Sequence, residues 1–388
     1  MTMPEKQTYI EHVHLSGYKS IKNVSCRFDE GLNIIIGNNG SGKTNLLEFV
    51  NKIINRDYVG MSFFKAAIKF FKGSGFIESK SLHNDGNDYF LWKAEGNISS
   101  EMIDHKKNGT EVSQPELDIF FYTEFVKFNL PEIGLLSKEI NPKYNIEHRS
   151  LLLNGDEEKL PFSLSIWIRR IFHAEDFLKK SLQKDLTDNY LYEFLSIAFN
   201  RDFGEIKSIL NNYTPVKDVR ISNSTRVVNI DNLTLEFRNL VLEYKINGDW
   251  FPWDAISDGS KRLIYLIFLI NGLRFGTDEQ HHVFPITLVE EPEIGIHPHQ
   301  LHLLLNFLKE KSKYQQIIIT THSPQVLDIL GPDELNKIII AEIDFENGTV
   351  LRHLNTEEML KAQAYLKNEG LLSDYWRFSD LQRSNKAK

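Results

Sequence analysis

The chain is poor in cysteine: Cys26 stands alone among 388 residues, which excludes an internal disulfide and fits a reducing cytoplasm. No apolar run approaches the ~20 residues that a helical membrane span needs, so no membrane partner is expected. The opening, Met1-Thr2-Met3-Pro4-Glu5-Lys6, lacks the charged-then-apolar pattern of a secretory signal. Cationic excess is missing too. A formal net charge of −8 excludes a uniformly basic nucleic-acid coat, while leaving room for a local basic groove. There is no internal repeat and no low-complexity segment. Leu178, Leu182 and Leu186, followed by Tyr190, Phe194 and Ala198, have helical spacing, but no heptad is sustained, which excludes a long coiled coil. A guanine-reading Asn-Lys-x-Asp motif is absent as well, because Asn336-Lys337-Ile338-Ile339 fails at its fourth position.

What the chain does have is a complete Gly-x-x-x-x-Gly-Lys-Thr loop. Gly37-Asn38-Asn39-Gly40-Ser41-Gly42-Lys43-Thr44 follows the apolar run Leu32–Ile36 and precedes a helix-like stretch from Asn45 to about Asn55. Strand, glycine loop and helix are the setting this motif requires. Glycines let the backbone turn its N–H groups toward phosphate oxygens, and the helix start adds partial positive charge. Lys43 is expected at the β- and γ-phosphates and the Thr44 hydroxyl at Mg²⁺, with Asn38, Asn39, Gly40, Ser41, Gly42 and Asn45 around the nucleotide.

Three further segments carry chemistry. Pro285–Val289 reads as a buried parallel strand ending in Glu290-Glu291-Pro292. Acids at a strand's carboxyl end belong beside a phosphate loop; Glu290 is placed to hold Mg²⁺ and Glu291 to take a proton from an attacking water. Gln316–Thr320 reads as the next strand and delivers Thr321-His322-Ser323-Pro324, where His322 can sense a γ-phosphate. Ser257-Asp258-Gly259-Ser260-Lys261-Arg262 opens an apolar helix and reads, taken alone, as a capped helix start or a second anion site.

The order of these motifs resembles the ABC-class ATPase heads, and within them the RecF/SMC-like and OLD-like branch. Gly17-Tyr18-Lys19-Ser20-Ile21 is similar to that branch's N-terminal motif, which implies Lys19 near the nucleotide. Glu293-Ile294-Gly295-Ile296-His297-Pro298 resembles its D-loop. The resemblance covers about 1–55 and 230–330. It implies an α/β P-loop head with a mixed or parallel sheet, an N-terminal antiparallel β lobe and a largely helical insertion. Expected divisions are 1–56 (head, phosphate loop), 57–229 (insertion) and 230–388 (head, remaining motifs). It further implies ATP and Mg²⁺ and an ATPase acting as a head-to-head dimer or higher oligomer. There Ser257 and Gly259 would meet the γ-phosphate held by the partner's Lys43. Two departures stand out. Glu290 occupies a position where many such heads carry aspartate, and Asp258-Gly259-Ser260 replaces the Gly-Gly-Gln of transporters. Gln114 is the candidate for the glutamine-loop residue.

An OLD-type nuclease would carry a TOPRIM metal domain after the histidine motif. Only 66 residues follow His322, with no Asp-x-Asp pair. The implied role is therefore an ATP-driven switch in bacterial anti-phage defence that controls a separate effector, a nuclease or toxin. The alternative is a RecF-like DNA-repair ATPase that clamps duplex DNA. Lys65, Lys69 and Lys72, beside Phe63, Phe64, Ile68 and Phe71, read as an amphipathic helix with a solvated lysine edge, or else as a nucleic-acid face; Arg169-Arg170 and Lys179-Lys180 are treated alike. His297, His299 and His302 near Glu293 could make a metal site, though a D-loop running into a helix accounts for them.

Overall fold

The computed structural model describes residues 9–71, 75–84, 87–95, 100–105, 119–127, 142–145, 150–153, 167–168, 171–172, 187–230, 234–272, 282–368 and 370–379. Gln114, Leu178, Leu182, Leu186, Lys72, Arg169-Arg170 and Lys179-Lys180 lie outside them. In chain order the elements are β1 (Ile10–Ser16), β2 (Val24–Arg27), β3 (Leu32–Ile36), α1 (Lys43–Ile54), β4 (Lys65–Phe70), β5 (Phe76–Asn84), β6 (Asn87–Glu95), β7 (Ser100–His105) and β8 (Ile119–Lys127). There follow β9 (Pro142–Asn145), β10 (Ser150–Leu153), α2 (Asp188–Asp202), α3 (Gly204–Tyr213), β11 (Asp218–Ile221), β12 (Arg226–Asn229), β13 (Thr234–Arg238), β14 (Leu242–Ile246), β15 (Asp249–Pro252) and α4 (Asp258–Gly272). The last are β16 (His282–Glu290), α5 (Pro298–Lys311), β17 (Gln316–Thr321), β18 (Ile338–Asp344), β19 (Gly348–His353), α6 (Thr356–Lys367) and α7 (Leu372–Phe378).

The chain forms two compact units. The first comprises 1–127, 279–294 and 305–388; the second comprises 128–278 and 295–304. This division falls elsewhere than at 56/57 and 229/230. The reason is strand pairing: β4 to β7 extend the sheet begun by β1 and β2, and β8 joins the sheet that holds β3. About 70 residues expected in the insertion therefore belong to the first unit.

In the first unit a six-stranded sheet runs β19-β18-β3-β17-β16-β8. All its pairs are parallel except β18 with β19. The five residues of β3 are all buried, as a strand covered on both faces must be. Asn33, within it, is buried but satisfied: its side chain donates to Asp29 O and accepts from Asp29 N. The antiparallel sheet runs β2-β1-β4-β5-β6-β7. One buried amide ties the two sheets together: Gln316, opening β17, accepts from Ile10 N at 2.9 Å and donates to Ile10 O at 3.0 Å.

Helix α1 buries Leu46, Leu47, Phe49, Val50, Ile53 and Ile54 along one face and carries Glu48, Asn51 and Lys52 on the other, so it is amphipathic with a broad apolar face. Phe49 packs on Tyr18 and Phe64, with ring centroids 5.0 and 6.0 Å apart, while Trp92 Nε1 donates to Ile53 O. Val13 and Ile68 of the antiparallel sheet share this core with Ile35, Leu288 and Ile318 of the parallel sheet.

Lys65 and Lys69 lie on β4, not on a helix. A spacing of four residues suits both a helix turn and a strand, and the alternate burial of Ala66, Ile68 and Phe70 decides for the strand. The second unit contains two small sheets, β10-β9-β13-β12 and β11-β14-β15, together with α2, α3 and α4. Its β14–β15 hairpin turns at Asn247 and Gly248, both at positive φ, as that dipeptide suggests. On α2 the buried stripe is Leu191, Leu195, Ala198 and Phe199, one position away from the expected Tyr190 and Phe194. Phe199 and Phe203 stack on each other at 4.3 Å, and both meet the Trp167 ring edge-on.

Phe49→Ala should lower the unfolding free energy by about 3–5 kcal/mol through the cavity left between the sheets. Urea denaturation checks this; a change under about 1 kcal/mol would mean that the α1 core is not packed as described.

Candidate nucleotide site

The site begins where β3 stops. Gly37 N donates to Thr321 O at 3.3 Å, so the loop leaves β3 still attached to its neighbouring strand. Gly40 and Gly42 take φ +81° and +88°, which favour glycine. Gly37 has no room for a side chain, since a Cβ there would lie 2.1 Å from Ala341 O. Gly42 caps α1 with no side-chain hydrogen bond, and the first turn holds no acid. The early N–H groups of the helix are thus left for an external anion.

Lys43 is buried, and its Nζ donates to Gly37 O at 2.8 Å and Asn38 O at 2.9 Å. Three donors are available to an ammonium, so one remains for a ligand. Burial pushes the Lys43 ammonium below its ordinary pKa, opposed by Glu291, Glu293 and Glu290. Ser41 Oγ is buried with no hydrogen-bond partner. Thr44 Oγ1 donates to Glu290 Oε1 at the end of β16. These two hard oxygen donors are of the kind Mg²⁺ takes. Orphaned hydroxyl, spare ammonium donor and uncapped helix together fit a triphosphate with its metal.

Glu291 carries positive φ (+42°), a strained value for a residue with a side chain. Its N–H still donates to Thr320 O at 2.8 Å, and its carbonyl accepts from Ile294 N at 3.1 Å. The chain therefore turns over Glu291-Pro292-Glu293-Ile294 directly after β16, with proline at the position where its fixed φ suits a turn. His322 Nδ1 lies 3.3 Å from Glu291 Oε1 and 3.3 Å from Glu293 Oε1. Asn39, Gly40, Gly42, Lys43, Thr44, Asn45 and Glu291 line a cavity of about 300 Å³.

Sequence reasoning missed Glu293 as a site residue. Its Oε1 accepts from Thr321 Oγ1 at 2.6 Å, His322 N at 3.1 Å and Ser323 N at 3.2 Å. It fixes the turn that presents His322. The third acid in Glu290-Glu291-Pro292-Glu293 was its signal. Lys19 is held by Glu48 of α1, at 2.5 Å, and does not line the cavity. That contact raises its pKa further.

Ser257 and Gly259 lie in the second unit. Ser257 Oγ donates to Ser260 Oγ at 3.0 Å, and Gln300 Nε2 donates to the same oxygen at 3.3 Å. A Cβ on Gly259 would stand 2.1 Å from Gln300 Oε1. Among the described residues no group of three His, Cys, Asp or Glu side chains could hold a metal, and His297 Nδ1 accepts instead from His299 N.

A phosphate loop after a buried parallel strand, with acids at the end of a nearby strand, defines a P-loop ATPase head. Two family models match: the AAA domain described as "putative AbiEii toxin, Type IV TA system" over residues 123–328, and a second AAA domain over residues 12–215. Each spans just over half of the chain, and the protein belongs to the AAA-domain family that these models describe. The DNA replication and repair protein RecF of Francisella tularensis subsp. novicida (strain U112) is 24% identical over 211 residues, covering 52% of this chain and 54% of that protein. The chain thus spans about half the length of the curated relatives it matches. Among solved structures, the Smc head domain bound to the C-terminal domain of ScpA, derived from Pyrococcus furiosus, gives a TM-score of 0.49 at 17% identity, covering 93% of this chain and 100% of that one. The recombination mediator protein RecF-ATPrS gives 0.44 at 14%, covering 90% and 99%. At these scores the fold assignment rests on sheet order and the family models.

Lys43→Ala should abolish measurable binding of ATP, because a triphosphate would lose its principal cation in a half-enclosed site. Calorimetric titration checks this; affinity equal to wild type would remove the phosphate-loop assignment.

Proposed function

We propose that the protein is an ATP-binding and ATP-hydrolysing molecular switch that works as a head-to-head dimer or higher oligomer. The observation that carries the proposal is the phosphate cradle between α1 and the Glu290-Glu291 turn, with Lys43 inside it and His322 beside Glu291. Gly40, Gly42, Lys43, Thr44 and Asn45 hold the nucleotide, with Asn38, Asn39 and Ser41 shaping the loop. Thr44 and Glu290 would hold Mg²⁺, which would supply charge neutralisation to a bound triphosphate. Glu291 accepts the proton of the attacking water, and His322 orients that carboxylate and senses the γ-phosphate. Ser257 and Gly259 complete the site on a second copy of the chain, and Lys19 serves the nucleotide once it leaves Glu48.

In this reading the protein is the cytoplasmic ATPase and sensor of a bacterial anti-phage system, and its effector is a separately encoded nuclease or toxin. The toxin-linked description of the matching AAA family supports it. So does the −8 charge, which disfavours a nucleic-acid coat. Among the described residues no helix is long and apolar enough to cross a membrane.

Glu291→Gln tests the switch. It should bind ATP yet turn it over about 10²–10⁴-fold more slowly, since an amide cannot accept the proton. With ATP the variant should also double its mass by light scattering. Wild-type turnover would place the base elsewhere, and a variant that stays monomeric in saturating ATP would defeat the composite site. Purified from its native host in ATP, the variant should retain a nuclease or toxin; preparations that consistently hold DNA and no protein effector would argue against the defence role.

One observation favours the second reading, a RecF-like clamp on duplex DNA. The exposed face of the antiparallel sheet brings Arg27, His12, His14, Lys65, Lys69, Lys80 and Lys93 into neighbouring cross-strand positions. Glu78 interrupts the row and Glu11 pairs with Lys69 at 3.1 Å. If this face grips phosphates, duplex binding should fall steeply with salt, and Lys65→Glu with Lys69→Glu should flatten that dependence by about two charges. Fluorescence anisotropy across a salt series decides; an unchanged slope would clear this face of any DNA role.

A further inference from the structure

Two hydroxyls, Ser20 of the Gly17–Ile21 motif and Thr349 of no motif named above, press on Gly42. A Cβ there would stand 1.9 Å from Thr349 Oγ1 and 2.6 Å from Ser20 Oγ. The hydroxyls are hydrogen-bonded to each other at 2.8 Å across 329 residues of chain. Asn45 Nδ2, in the first turn of α1, donates to Ser20 Oγ at 2.8 Å. The backbone holds both in place. Thr349 N donates to Ser20 O at 3.0 Å, and Ile21 bridges Gly348. Gly348 has φ +73°, and a Cβ on it would lie 2.3 Å from Ser20 O, so glycine alone permits the approach. Lys22 Nζ donates to Glu346 O at 3.0 Å, and Asp344 Oδ1 accepts from the N–H groups of Glu346 and Asn347, which steadies the β18–β19 turn.

We infer that Ser20 and Thr349 are positioning residues of the nucleotide site. Together with Asn45 they hold Gly42 and the first turn of α1 in the orientation that presents the loop's N–H groups to phosphate. The inference rests on the ATP-binding reading above. Neither residue lines the cavity, so both act through Gly42 and Asn45. Ser20 Oγ accepts from Asn45 and has its own hydrogen and a second lone pair for Thr349. Thr349 is fully buried, so water cannot replace a lost partner. Lys19, in the same tight turn, grips Glu48 three residues beyond Asn45 on α1. Before nucleotide binds, the Tyr18–Ile21 turn thus clasps the helix at two points, and the Ser20 contact is the one that remains once Lys19 leaves Glu48. Hydrogen bonds weaken steeply with angle, so a small rotation of α1 would misalign several loop donors at once.

Thr349→Val keeps the shape and removes the hydroxyl; Thr349→Ser keeps the hydroxyl and removes a methyl. Titration with a non-hydrolysable ATP analogue, alongside the thermal midpoint without nucleotide, separates positioning from packing. Thr349→Val should weaken the analogue's Kd about three- to tenfold, and Thr349→Ser should restore most of the loss. Ser20→Ala should weaken binding similarly, and the double variant should fall short of the product of the two losses. A packing role alone gives the opposite pattern: Thr349→Ser would lose thermal stability, and Thr349→Val would bind as wild type. That result overturns the inference. If Thr349→Val does not fold, Ser20→Ala carries the test, and wild-type affinity in it is equally fatal. Wild-type protein that binds no analogue would instead defeat the ATP-binding reading itself.

Discussion

β3 is hydrogen-bonded in parallel to β17 on one side and to β18 on the other, and β17 is paired in parallel to β16. Parallel pairing puts the carboxyl ends of these strands along one edge of the sheet, and the phosphate loop, the acidic turn and His322 all follow from it. The phosphate loop leaves β3, the Glu290-Glu291 turn leaves β16, and Thr321-His322 ends β17. Two hydrogen bonds hold that edge in register after the strands have ended: Gly37 N to Thr321 O and Glu291 N to Thr320 O. The turn is tight enough that Glu291 must adopt positive φ. That conformation is costly for a residue with a side chain, and packing on both faces of the sheet is what sustains it.

The electrostatics of the edge are lopsided. Three carboxylates act on one buried ammonium, and burial nevertheless has the larger effect on Lys43. Unscreened, the acids would repel one another, and the structure separates their roles by giving them different partners. Glu290 takes the Thr44 hydroxyl, Glu293 takes the donors at the end of β17, and Glu291 faces the cavity. His322 stands between the last two at equal distance from each. The general-base candidate is thus the acid least committed to protein donors, which is the arrangement that proton abstraction requires.

Much of this was legible in the chain. The strand–loop–helix succession at 32–54 has local signals, namely an apolar run, glycines and a lysine-threonine pair, and the structure forms those elements. The strands ending at Glu290 and Thr321 were readable for the same reason. The antiparallel sheet was harder. Lys65 and Lys69 satisfy two periodicities at once, and nothing local chooses between them. The place where one unit gives way to the other was not readable at all, since it depends on β8 pairing with β16, some 160 residues further along. Glu293 had a local signal that was assigned to the following loop. Thr349 had none, because its meaning comes from Ser20 at the far end of the chain.

The close approach of Gly348 to Ser20 also bears on how the protein is made. Synthesis runs from the amino terminus, so β3 and the phosphate loop emerge early. Their parallel neighbours, β17 and β18, begin at residues 316 and 338, and the hydroxyl that backs Gly42 arrives at 349. An emerging chain carries an apolar strand and a glycine loop with no wall behind them until those strands have been made. The nascent chain consequently cannot complete the cradle around Gly42 until residue 349 has been made.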